Sequence, residues 1–113
     1  MAKEYLDPLS ALVKQAVPRS SESAKLEVKH FFSGAAVYAN GKIGMTLTPV
    51  GFAIKLSEKS RAILMDRQGG RPLRYFPKGP IKKDYVVLPQ AMLNDMKTLR
   101  NWVRSSIEYA VAP

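Results

Sequence analysis

The sequence has 113 residues, 18 Lys and Arg against 9 Asp and Glu for a formal charge of +9, and no cysteine. That length holds one domain, 1–113, and the missing cysteines exclude disulfides and thiolate metal sites and point to a reducing compartment. The opening MAKEYLDPLS has no apolar run like that of a signal peptide, and no window reaches the roughly 18 apolar residues of a membrane span, so a cytoplasmic protein without membrane association is expected.

The first predicted element is an amphipathic helix over about 7–17. Asp7 is its expected N-cap, Pro8 its first helical residue and Pro18 its stop. Leu9, Leu12, Val13, Ala16 and Val17 fall on one stripe that needs a surface to cover it. A polar linker over 18–25 leads into the core, 26–110. From Leu26, apolar and charged residues alternate, and a strand is expected that bends at Ser33-Gly34.

Two turn signals then cut the stretch from Phe31 to Leu56 into an antiparallel meander of three strands. Asn40-Gly41 suits a type I′ hairpin turn, which needs positive φ at both central positions. Thr48-Pro49-Val50-Gly51 is a looser reversal. The expected register sets Tyr38 opposite Ile43, Ala36 opposite Met45, Leu47 opposite Phe52 and Met45 opposite Ile54. One face then carries Tyr38, Ile43, Met45, Leu47, Phe52, Ile54 and Leu56 towards the helices. The other carries Ala35, Val37, Gly44, Thr46, Ala53 and Lys55, small and almost uncharged.

After Leu56, Ser57 is expected to cap a second helix that Gly69-Gly70 ends, with Ala62, Ile63 and Met65 buried. Residues 71–76 and 81–88 read as a second hairpin joined by Pro77-Lys78-Gly79-Pro80. Leu88-Pro89 opens a final helical segment, broken near Asn94-Asp95, with Asp95 capping a helix to about Ala110. Met92, Met96, Leu99, Val103 and Ile107 form its apolar stripe, and Trp102 sits off it at the rim. The order α-β-β-β-α-β-β-α predicts a two-layer α+β fold: a five-stranded, mainly antiparallel sheet with helices on one face.

From Phe31 onward the chain resembles the TfoX (Sxy) N-terminal domain family, the front half of bacterial competence regulators. The family's Met-Phe-Gly-Gly-x-Gly-Leu-Tyr segment is matched by Phe31-Phe32-Ser33-Gly34-Ala35-Ala36-Val37-Tyr38, and its later strand by Gly51-Phe52-Ala53-Ile54-Lys55. Tyr85-Val86-Val87-Leu88-Pro89 and Leu99-Arg100-Asn101-Trp102 match its Tyr-x-x-Leu-Pro and Leu-x-x-Trp. Ser33 and Ala36 depart from it, standing where the family favours Gly. The resemblance implies a fold like the secretion chaperones and a non-enzymatic regulatory role. That role would act through protein partners at promoters, the transcription machinery among them. The chain reads as a stand-alone copy of the domain.

Little in the residues points to catalysis. His30 is the single histidine, and with no carboxylate cluster beside it no metal site is expected. Gly41-Lys42-Ile43-Gly44 lacks the spacing of a phosphate loop. Ser20, Ser21 and Ser23 have no base within sequence reach, and the acids are scattered. No cofactor is expected.

Two surfaces remain. Arg67, Arg71, Arg74, Lys78, Lys82 and Lys83 run without an acid between them and enclose Tyr75 and Phe76. Cations and aromatics together suit nucleic acid, with weak salt-dependent DNA binding. The same alternation also serves hairpin packing, with Lys and Arg blunting an edge. The face of Ala35, Val37, Gly44, Thr46, Ala53 and Lys55 is either a plain solvated surface or a dock for a partner, a second copy making a homodimer included. On that reading, glutamate at Val37 or Ala53 leaves the fold intact. A protein partner ranks ahead of nucleic acid, and an enzyme comes last.

Overall fold

A computed structural model describes residues 3–17 and 24–112. Helix α1 spans Lys3–Ala16, β1 Leu26–Phe31, β2 Gly34–Ala39, β3 Lys42–Thr48, β4 Gly51–Lys55, α2 Glu58–Arg67, β5 Arg71–Pro72 and β6 Tyr85–Val87. A 3₁₀ turn at Gln90–Asn94 precedes α3, Met96–Val111. The six strands form one open sheet in the order β1-β2-β3-β4-β6-β5, every neighbouring pair antiparallel. The α+β class holds. The sheet has six strands instead of five, because 26–39 folds as a hairpin and not as one bent strand.

That hairpin turns on Phe32 and Ser33, since Phe31 already pairs with Gly34. Ser33 is a common turn residue but Phe32 is not, and Phe32 is held at φ 46°, a left-handed backbone that costs a bulky residue about 1–3 kcal/mol. By contrast, Asn40 (φ 51°) and Gly41 (φ 82°) make the expected reversal between β2 and β3 without that cost. Asn40 also accepts, through Oδ1, a 2.7 Å hydrogen bond from the Lys25 amide, tying the turn to the entry of β1.

Register explains the largest difference from the sequence reading. Tyr38 opposes Ile43, Leu47 opposes Phe52 and Met45 opposes Ile54 as expected, but Met45 faces Val37 and not Ala36. A β-bulge at Gly44 inserts one extra residue on β3 and slips the pairing. Because side chains alternate across a strand, one residue of slip exchanges the two faces of β2. Ala35, Val37 and Ala39 therefore turn to the helices with Met45, Phe52 and Ile54, and Tyr38 turns away from them.

All three helices cover that one face. Leu9 and Ala16 of α1, Leu64 of α2, and Leu99, Val103, Ile107 and Ala110 of α3 close the core. Each large apolar side chain removed from water there contributes about 1.5–3 kcal/mol. Helix α3 packs over Gly44: a Cβ at that position would meet the Ala110 methyl at 3.5 Å, an ordinary contact, and the Ser106 hydroxyl donates a 3.1 Å hydrogen bond to the Gly44 carbonyl.

Helix α1 begins at Lys3 rather than Asp7, so Pro8 lies inside it and Asp7 is no cap. Packing of Tyr5 and Leu6 on the core rewards the extra turn, while Pro8 itself is exposed. The expected stop at Pro18, the stretch 18–23 of the linker and Ser20, Ser21 and Ser23 lie outside the described residues. Ser57 caps α2 by accepting from the Ser60 amide at 3.3 Å, and Gly69 (φ 77°) ends it. The residue α2 buries fully is Leu64, while Ala62 and Met65 are exposed. Asp95 caps α3, its carboxylate taking the Thr98 amide at 3.3 Å and the Thr98 hydroxyl at 2.8 Å. Those bonds hold the Asp95 carboxyl below the ordinary carboxylate range. Trp102, at the rim, donates its indole N–H to Gln68 at the end of α2, 3.0 Å away.

The second hairpin is shorter than expected. Only Arg71 and Pro72 pair with Val87 and Val86, and 73–84 is a loop. Pro72, Pro77 and Pro80 have no amide to give a ladder. Leu73 folds inward and packs with Ala53 and Val87, with Val50, Tyr75 and Tyr85 around them, a small second core on the face opposite the helices. Among the described residues, no helix is long and apolar enough to cross a membrane.

Candidate interaction surface

The Phe32-Ser33 turn and the 73–84 loop meet at one end of the sheet, on its outer face. Phe31 points outward on β1, because it pairs with Gly34 two positions along from the Lys29–Ala36 pair. Its ring lies edge-on to Phe32 at 4.6 Å between centroids and 6.1 Å from that of Tyr75. Phe32 cannot fold back under the sheet from a tight turn, and it is 91% exposed.

The loop is held by its own hydrogen bonds. The Lys82 amide donates to the Leu73 carbonyl at 2.9 Å, the Gly79 amide to the Phe76 carbonyl at 2.8 Å, and Arg74 Nη1 to the Gly79 carbonyl at 3.2 Å. Phe76 lies with its ring against Gly79, where an added Cβ would come within 3.0 Å of ring carbons, yet the side chain remains 58% exposed. An apolar patch of this kind on a basic protein is the sort of surface that other molecules cover.

Two depressions flank Phe76. One, of about 380 Å³, is lined by Phe32, Ser33, Tyr75, Phe76, Pro80 and Lys82. The other, of about 530 Å³, shares Tyr75 and Phe76 and adds Arg71 and Arg74 with Pro49, Val50, Pro72, Pro77 and Val87. Lys82 Nζ stands 5.9 Å from the centre of the Tyr75 ring. Burial pushes the Tyr75 phenol above its ordinary range, partly offset by the neighbouring Thr46 hydroxyl. Thr46 Oγ1 is itself buried without a hydrogen bond of ordinary geometry. Burial also pushes Tyr85 up, and Tyr75, Asp84 and Tyr38 add to it. Both phenols are therefore neutral across the physiological range.

Of the six cations in 67–83, the structure brings Arg71, Arg74 and Lys82 to the aromatic surface. Arg67, at the end of α2, and Lys78 and Lys83, on the loop, are exposed and line neither depression. The small-residue face does not exist as one surface. Ala35, Val37 and Gly44 lie under the helices, for the register reason given above. Thr46 and Ala53 do face away from the helices but are fully buried, Ala53 beneath Leu73 and Val87. Lys55, half-buried, lines a separate depression with Lys42, Asp84 and Tyr109.

Phe31, Phe32 and Pro80 are the surface residues that sequence reasoning left out. Their signal was the Phe-Phe-Ser-Gly run, which read as strand interior, and the three prolines of 71–80, which rule out a regular hairpin. His30 is exposed on the edge strand β1, and among the described residues no three of His, Cys, Asp and Glu gather to hold a metal ion.

A family model described as the TfoX N-terminal domain matches residues 21–110. No curated protein and no solved structure matches the chain. The match runs from before β1 nearly to the end of α3, taking in the whole sheet and the helices that follow it, and the protein belongs to the TfoX N-terminal domain family.

Proposed function

We propose that the protein is a non-catalytic regulatory module that works by holding a protein partner, and that the Phe32–Phe76 surface makes the contact. The observation that carries this is the exposure of Phe32 on a strained turn beside the hydrogen-bonded 73–84 loop. An apolar side chain kept in water, at a cost in backbone strain, is understandable where a partner buries it. Membership of a regulatory, competence-related family supports the same reading.

Affinity capture from the native host, with nuclease treatment and mass spectrometry, tests it on the intact protein and on Phe32→Asn. Asparagine accepts the left-handed backbone and removes the ring. The expected result is a protein retained by the parent through nuclease treatment and lost with Phe32→Asn. Equal retention by both, or retention of nucleic acid alone, overturns the proposal.

The placement of Arg71, Arg74 and Lys82 beside exposed rings favours nucleic-acid binding as the second reading. On that reading, affinity for single-stranded DNA falls steeply between low and physiological salt, because each neutralised phosphate releases a counterion. A flat salt response, or no binding at low salt, removes it.

A further inference from the structure

We infer that the paired depressions around Phe76 receive an acidic, extended segment of a partner protein, anchored by one large hydrophobic side chain. This rests on the reading above that the surface acts on a protein. The smaller depression, about 380 Å³ and lined chiefly by Phe32, Tyr75, Phe76 and Pro80, is at the low end of ligand-pocket sizes and suits a single aromatic or branched side chain. A chain leaving that anchor across Phe76 enters the neighbouring depression, where Arg71 and Arg74 stand. Guanidinium groups take carboxylates in a two-point fork. Arg71, Arg74 and Lys82 are the charged residues lining the two depressions, with no acid among the lining residues, so the charge met there is positive.

The ring geometry favours a peptide over a nucleic-acid strand. Stacked bases need open, roughly parallel faces in succession. Phe31 and Phe32 stand at 69° to one another, and the Phe76 ring rests against Gly79 instead of standing free. What the rings form is the wall of a recess.

Fluorescence anisotropy on the full chain tests this with a short fluorescein-labelled peptide of Asp and Glu around one Phe. The comparison probes replace the Phe by Gly, replace the acids by Asn and Gln, or substitute labelled oligothymidine. Loss of the Phe and loss of the acids are each expected to weaken binding about tenfold or more. Phe32→Asn and Arg71→Gln in the protein are expected to do the same, with unchanged circular dichroism. Absence of binding, indifference to either peptide change, or tighter binding of oligothymidine overturns the inference. Phe32-dependent capture of a host protein combined with a silent peptide leaves the protein-partner reading standing and removes the acidic, anchored one. Loss of both results removes both.

Discussion

Val37→Glu is expected to abolish the folded state. Val37 is fully buried, opposite Met45, in the cluster closed by α1 and α3. A carboxylate there would lie within an apolar cluster, and an unpaired buried charge costs several kcal/mol even after relaxation. That is on the scale of the whole stability of a domain, about 5–15 kcal/mol. Far-UV circular dichroism and urea unfolding read it directly: the variant should be largely unfolded in buffer. A native spectrum with a native urea midpoint would mean that Val37 faces outward and that β3 carries no bulge. Ala53→Glu should be similarly harmful for a different reason, since Leu73 and Val87 seal that position from the other side.

Gly34→Ala is the second change expected to be severe, although it adds one methyl group. The new Cβ would land on the Leu47 carbonyl oxygen and 2.9 Å from Thr48 Cα, backbone atoms of β3 that have no rotamer through which to yield. Either the hairpin opens or the β2–β3 ladder parts, and a loss of about 3 kcal/mol or more is expected. Gly44→Ala is the matched comparison. Its Cβ would meet the Ala110 methyl at 3.5 Å and the Ser106 hydroxyl at 3.8 Å, ordinary contact distances. A small change is expected there, within about 1 kcal/mol. Urea midpoints that rank the two variants in the opposite order would contradict the placement of both glycines.

The contrast between these positions shows what a linear reading can reach. Elements set by local chemistry were legible: the Asn40-Gly41 turn, the Ser57 and Asp95 caps, and the Leu99–Val103–Ile107 stripe each follow from one residue type in one conformation. The bulge was not, because Gly44 reads equally well as any small strand residue, and a single slip exchanged the faces of Ala35 and Val37. The Phe32-Ser33 reversal was hidden for the opposite reason, since Phe32 does not prefer the conformation it adopts and the pairing of β1 with β2 imposes it. At the candidate surface, Arg71, Arg74 and Lys82 were visible as charge. The aromatic recess beside them depends on a loop meeting a turn more than forty positions away in the chain, which no periodicity encodes.

The conformation of Phe32 also ties two properties of the protein against each other. Asparagine at that position would relax the reversal, so Phe32→Asn should raise the melting temperature while erasing recognition. A chain chosen for robustness alone would discard this phenylalanine, and on the proposed function its presence trades thermal margin for contact.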